Sequence, residues 1–183
     1  RQMCIRDSCG RHPEYYSEDP ILTGTLMAYQ ARGLEENGVI ATYKHLIANN
    51  MEFERKSAHG IIDENTLRDL YLRVFDKAFS LYKPGCVMTS YNPVNGIYPC
   101  ENSALLNDLL RGEWGFDGFV MTDWGSYDTA DSIRSVCAGT NLLTPGSKKH
   151  FRMILKAIKR NEISKAALQH SVKQIVKVLV RCI

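Results

Sequence analysis

A chain of 183 residues, 44% hydrophobic and 23% charged, has the composition of a globular domain able to bury a core, and it contains no apolar run long enough to span a bilayer. Its formal net charge of +3 is small, and the basic residues are spread along the chain except over 148–159, where they fall on a helical stretch; this argues against a nucleic-acid partner. Of six cysteines, the five that remain with Cys4 set aside are odd in number and have no short paired spacing, which argues for free thiols over a disulfide frame or a zinc site, and the five histidines put no two imidazoles on one helical face.

Taken in chain order, Arg1-Gln2-Met3-Cys4-Ile5-Arg6-Asp7-Ser8 reads as the translation of a sequencing adapter and is set aside, which leaves 9–183 as the domain. Ser17-Glu18-Asp19-Pro20 opens a helix, with capping residues followed by a proline, and the helix is expected to run to about Glu36 and stop before Gly38. Val39 to Tyr43 reads as a short buried strand ending at Lys44-His45. Residues 46–62 are irregular and polar, a length that suggests a functional excursion. Asp63 caps a second helix, 64–81, whose Leu67, Leu70, Tyr71, Val74, Phe75 and Ala78 recur at helical spacing. Cys86 to Thr89 is a second strand, closed by Ser90-Tyr91-Asn92. A helix from Asn102 or Ser103 to about Trp114 follows, then a third strand, Phe119 to Met121, expected to be fully buried because its apolar residues are continuous. The remaining segments are a short helix over 129–137, an apolar Leu142-Leu143 run, and helices over 148–160 and 164–180.

Strands alternating with helices imply crossover connections and a parallel sheet. The ends of the three strands carry Lys-His, Ser-Tyr-Asn and Thr-Asp-Trp, so polar groups collect on one rim. Both a parallel barrel and an open doubly wound sheet bind ligands there. Phosphate-binding glycine fingerprints are absent, which argues against a nucleotide. Asp123, at the end of the third strand and followed by Trp124, is placed like a catalytic carboxylate.

The ordered blocks Cys9-Gly10-Arg11-His12-Pro13-Glu14-Tyr15-Tyr16-Ser17-Glu18-Asp19-Pro20, Lys44-His45 with Asn49-Asn50-Met51-Glu52 and Arg55, Ser90-Tyr91-Asn92-Pro93-Val94-Asn95-Gly96, Glu113-Trp114-Gly115-Phe116 and Thr122-Asp123-Trp124 resemble the motif series of glycoside hydrolase family 3. The resemblance covers nearly the whole chain after residue 8. It implies an α/β fold, a partial parallel (β/α) TIM-like barrel that forms the C-terminal part of that family's N-terminal domain. It implies a retaining, exo-acting β-glycosidase of β-glucosidase type acting on a β-linked glucoside or oligosaccharide. In that resemblance Asp123 takes the place of the nucleophile, and Arg11, Lys44, His45, Arg55 and Tyr91 take the places of residues that hold the sugar. Trp124 offers an apolar face to a pyranose ring. No metal or cofactor is called for.

The chemistry asks for such groups. A retaining glycosidase attacks the anomeric carbon with an ionised carboxylate while a second, protonated carboxyl group serves the leaving oxygen, and the cations Arg11, Lys44 and Arg55 are expected to lower the pKa of Asp123. Relative to the family, the upstream barrel half and the second α/β domain with the acid/base residue are missing, so the chain alone is expected to be inactive. Met51 stands where the family often has glutamine, and Asn141-Leu142-Leu143-Thr144-Pro145-Gly146 replaces a more acidic segment. The alternatives are a non-catalytic carbohydrate-binding or structural remnant and, within the class, a β-xylosidase or arabinofuranosidase.

Overall fold

The structure, a computed structural model, describes residues 11–181. The segment read as adapter and the Cys9-Gly10 pair that opens the first motif lie outside the described residues. Helix α1 (Pro20–Glu35) starts where the sequence places its cap, with the Asp19 carboxylate accepting from the Leu22 N–H at 2.8 Å and Pro20 in the first turn.

Strand β1 covers Thr42–Leu46 and not 39–43. The apolar residues before it are used by the helix end. Val39 N–H donates to the Leu34 carbonyl at 3.0 Å and Ala41 N–H to Glu35 Oε1 at 3.0 Å, so ladder pairing begins only at Thr42. Lys44 and His45 consequently sit within the strand.

Helix α2 is one continuous rod made of Glu64–Thr66, a wide π-helical stretch Leu67–Leu72, and Arg73–Leu81, and Asp63 caps it by accepting from Thr66 N–H at 3.0 Å. Strand β2 (Cys86–Thr89) and strand β3 (Phe119–Met121) occupy the predicted ranges. Between them α3 (Ala104–Glu113) is also π-helical. A 3₁₀ turn at Ser126–Asp128 precedes α4 (Ser132–Cys137), which is capped by Asp131 and begins three residues later than the sequence suggested; α5 (Lys148–Lys159) and α6 (Lys165–Val180) are capped by Ser147 and Ser164.

The three strands form a parallel sheet in the order β1-β2-β3. The Leu142-Leu143 run lies along the outer edge of β3 through a parallel bridge between Met121 and Leu142. In β3 only Val120 is fully buried and packs in the core, while Phe119 and Met121 are partly exposed, because successive side chains alternate between the two faces of the sheet and these two share the face away from that core. The Lys44–His45, Leu46–Ile47 and Thr144–Pro145 peptides are cis.

The core lies between the sheet and the α1–α2–α3 layer. Tyr43, Val87 and Val120 meet Phe75, Ala78, Phe79, Leu106 and Leu110 there. Phe79 is the hub, edge-on to Tyr43 at 5.3 Å and to Phe116 at 5.7 Å and stacked on Trp114 at 5.3 Å. Helix α1 crosses α2 at Gly24, where an added Cβ would lie 2.5 Å from the Val74 carbonyl oxygen. Glu35, at the C-terminus of α1, joins the helix to the sheet: its Oε1 accepts from Ala41 N–H at 3.0 Å and Gly85 N–H at 2.6 Å, and its Oε2 from the Tyr82 hydroxyl at 2.9 Å. Among the described residues Cys86, Cys100 and Cys137 are free thiols, and no helix is long and apolar enough to cross a membrane.

Candidate active site

Asp123 is set by the segment that follows β3. Thr122 N–H donates to the Leu142 carbonyl at 3.0 Å, Thr144 N–H donates to Thr122 Oγ1 at 2.9 Å, and Ser126 Oγ donates to the Asp123 carbonyl at 3.1 Å. Gly125 then turns the chain at φ 80°, in the left-handed region that glycine enters without strain. The residue is 8% exposed, and its carboxylate faces the C-terminal rim of the sheet.

Three neighbours converge on that carboxylate. His45 Nε2, from β1, lies 3.4 Å from Asp123 Oδ2, and Arg11 Nη1 lies 3.9 Å from the same oxygen. Neither contact meets hydrogen-bond geometry, so both His45 Nε2 and Asp123 Oδ2 are buried without a hydrogen-bond partner. Tyr91, just beyond β2, lies beside the carboxylate and donates its hydroxyl to the Trp124 carbonyl at 2.6 Å.

The cations are held in turn by acids. Glu14 accepts two hydrogen bonds from Arg11 at 2.8 Å and one from Lys44 Nζ at 2.7 Å. These bonds hold the Glu14 carboxyl at about 2, below its ordinary value, with Arg11 the larger cause. Lys44 therefore touches Glu14 and acts on Asp123 only through space. Arg55 pairs with Glu52 and places its guanidinium 4.4 Å over the Tyr91 ring. The Trp124 indole is 65% exposed; only its backbone carbonyl joins the network.

Burial decides the protonation of the central pair. It drives the His45 pKa from 6.5 down to about 3, with Arg11 and Lys44 adding to the effect. The imidazole is neutral, and its contact with Asp123 is not an ion pair. Burial also raises the Asp123 pKa, against the lowering by Tyr91, Arg11, Arg55 and Lys44. The downward shift expected from the cations alone is thus overturned, because desolvation of the carboxylate outweighs them.

Two residues enter the site to which the sequence assigned no role. Tyr15 places its hydroxyl 3.1 Å from His45 Nδ1. Lys56 reaches across the loop to the Gly125 carbonyl at 3.2 Å and Asp128 Oδ2 at 2.9 Å, clamping the turn after Asp123. Tyr15 stands inside the first motif block and Lys56 directly follows Arg55, but no periodicity gives either one a role. A cavity of about 110 Å³ is lined by Glu14, Tyr15, Lys44, His45 and Asn49 among others, though not by Asp123 or Arg11. Among the described residues no group of three or more His, Cys, Asp or Glu side chains is arranged to hold a metal ion.

Known proteins share both sequence and fold with this chain. The family model "Glycosyl hydrolase family 3 N terminal domain" matches residues 5–178. A probable β-glucosidase J of Aspergillus fumigatus is 39% identical over 173 residues, which is 93% of this chain and 20% of that protein. A thermostable β-glucosidase B of Acetivibrio thermocellus is 40% identical over 172 residues, 93% of this chain and 22% of that protein. The solved structure of β-glucosidase 3B from Thermotoga neapolitana in complex with glycerol superposes with a TM-score of 0.90 at 40% identity, covering 94% of this chain and 25% of that one. The Bifidobacterium adolescentis family 3 β-glucosidase gives 0.89 at 31% identity, covering 99% of this chain and 29% of that one. The chain therefore spans about a fifth of the length of the curated relatives. With a three-stranded parallel sheet as part of a TIM-barrel-like fold and a match over nearly its whole length, this chain belongs to glycosyl hydrolase family 3, within that family's N-terminal domain.

Proposed function

We propose that this chain is the nucleophile-bearing part of a retaining β-glycosidase of β-glucosidase type. The observation that carries the reading is the buried Asp123 carboxylate, with an unpartnered oxygen facing a neutral imidazole and a guanidinium at the sheet rim. In this reading an Asp123 oxygen attacks the anomeric carbon, the bond from that carbon to the leaving oxygen breaks, and a protonated carboxyl group elsewhere in the enzyme gives the leaving oxygen its proton. Water then attacks the same carbon and yields its proton to that second carboxylate, which frees the sugar and restores Asp123. Arg11, Lys44, His45, Arg55 and Tyr91 serve as donors and acceptors for the sugar hydroxyls, and the Trp124 indole stacks on a ring at the mouth. The β-glucosidase names of the relatives support glucose as the sugar.

In this reading the chain by itself is inactive or nearly so, since the group that protonates the leaving oxygen and part of the barrel that preorganises the sugar are contributed by the rest of the enzyme. In the intact enzyme, Asp123→Asn keeps the shape but removes the nucleophile. Turnover of 4-nitrophenyl β-glucoside is expected to fall by several orders of magnitude with circular dichroism unchanged. Arg11→Ala and Lys44→Ala are expected to cost less, because each removes a partner of the sugar or of Glu14 and not the bond-forming atom. A folded Asp123→Asn enzyme with near-normal turnover defeats the assignment. Faster cleavage of the xyloside or arabinofuranoside than of the glucoside would move the substrate within the class.

A further inference from the structure

We propose that Tyr15 is a positioning residue: its hydroxyl donates to Nδ1 of His45 and fixes the buried imidazole as the neutral Nε2–H tautomer, so that a donor and not a lone pair faces Asp123. Tyr15 Oη lies 3.1 Å from His45 Nδ1, and the two rings meet edge-on at 6.4 Å. The His45 side chain is 1% exposed, so its ring nitrogens depend on the groups packed around them. A neutral imidazole carries one N–H and one lone pair. A phenol gives up its proton to a nitrogen lone pair more readily than its ring-conjugated oxygen accepts one, so the Tyr15 contact favours a bare Nδ1 and a protonated Nε2.

The other side of the ring demands the same tautomer when Asp123 is ionised. With Nδ1–H, the Nε2 lone pair would face the Asp123 Oδ2 lone pairs at 3.4 Å across a buried gap. With Nε2–H the two orphaned atoms become a donor and an acceptor, too far apart and too poorly aligned to satisfy each other fully. A ligand hydroxyl set between them would accept from Nε2–H and donate to Oδ2. That consequence for substrate binding rests on the glycosidase reading; the tautomer does not.

The test separates the two. In the chain with ¹⁵N-labelled histidine, long-range ¹H–¹⁵N correlation spectra, with His45 assigned by its loss in His45→Gln, are expected to give a single neutral Nε2–H form. Tyr15→Phe removes only one oxygen and should move the Nδ1 resonance downfield, toward that of an unbonded nitrogen. Asp123→Ala should keep the Nε2–H form, because Tyr15 still donates, whereas the double variant Tyr15→Phe/Asp123→Ala should lose it to a mixture or to Nδ1–H. A wild-type Nδ1–H form, an Nδ1 resonance unmoved by Tyr15→Phe, or a double variant that retains Nε2–H overturns the proposal, and the single Tyr15→Phe result decides it if Asp123→Ala does not fold. In the intact enzyme Tyr15→Phe is expected to lower kcat/KM by roughly tenfold, the scale of one lost orienting hydrogen bond. Normal turnover by Asp123→Asn would remove the glycosidase reading while leaving the tautomer result standing.

Discussion

Two glycines in the same helix should respond to the same substitution with opposite signs. Gly24 and Gly33 both lie in α1 (Pro20–Glu35), and helix propensity alone makes Gly→Ala favourable by about 0.8–1 kcal/mol at each. At Gly33 an added Cβ meets nothing within 4 Å. The gain should therefore survive there, at the lower end because the site is near the helix terminus, and appear as a rise of about 1–3 °C in Tm for a chain of this size. At Gly24 the same atom would lie 2.5 Å from the Val74 carbonyl oxygen and 2.8 Å from Lys77 Cβ. The first obstacle is backbone, so α1 and α2 must move apart by most of an ångström, along a seam filled by Thr23, Met27, Ala28 and Ala31. Overpacking of this kind costs about 1–3 kcal/mol, which after the propensity gain leaves a net loss of up to about 2 kcal/mol. Urea unfolding followed by helical circular dichroism measures both variants against the parent chain. If Gly24→Ala raises the midpoint as Gly33→Ala does, the close approach of the two helices is wrong.

The carboxylate of Glu35 serves two backbone N–H groups and one hydroxyl, so Glu35→Ala should destabilise the chain by about 2–5 kcal/mol, well beyond the ~1 kcal/mol expected for Tyr82→Phe, which loses a single bond; equal urea midpoints for the two variants would refute this tie between helix and sheet. His45 sets an acid limb. Its folded pKa is about 3 against 6.5 unperturbed, so between those values the unfolded chain binds a proton that the folded chain does not. Stability should then fall as pH drops through that window, by at most about 1.4 kcal/mol per pH unit from this group. Glu14, depressed to about 2 from 4.5, stabilises fully above 4.5 and loses its contribution as pH falls toward 2, so it acts only in the lower part of the range. Urea midpoints measured from neutral pH downward should show the slope above pH 4.5 flattening in His45→Gln; an unchanged slope there would exclude His45 as its source.

Much of the architecture was legible in the residue string because it is governed by local chemistry. Asp19 and Asp63 start their helices by accepting from backbone N–H groups a few residues on, and such caps are readable without knowing what packs where. Cys86–Thr89 and Phe119–Met121 are apolar runs bounded by turn residues, and their limits followed from that. The ordered motif blocks also pointed to the family, since their spacing along the chain is itself sequence information. Tertiary structure decided the rest. Val39 to Ala41 look like the start of a strand, yet the end of α1 takes the N–H groups of Val39 and Ala41 and the ladder begins at Thr42. The cations near Asp123 were visible as residues, but the sign of its pKa shift depends on how far the carboxylate is withdrawn from water, which no pattern along the chain encodes. Tyr15 and His45 are 30 positions apart. A hydrogen bond between them exists only because the segment leading into α1 is laid across the end of β1, and contacts of that kind are set by packing, with no periodicity to announce them.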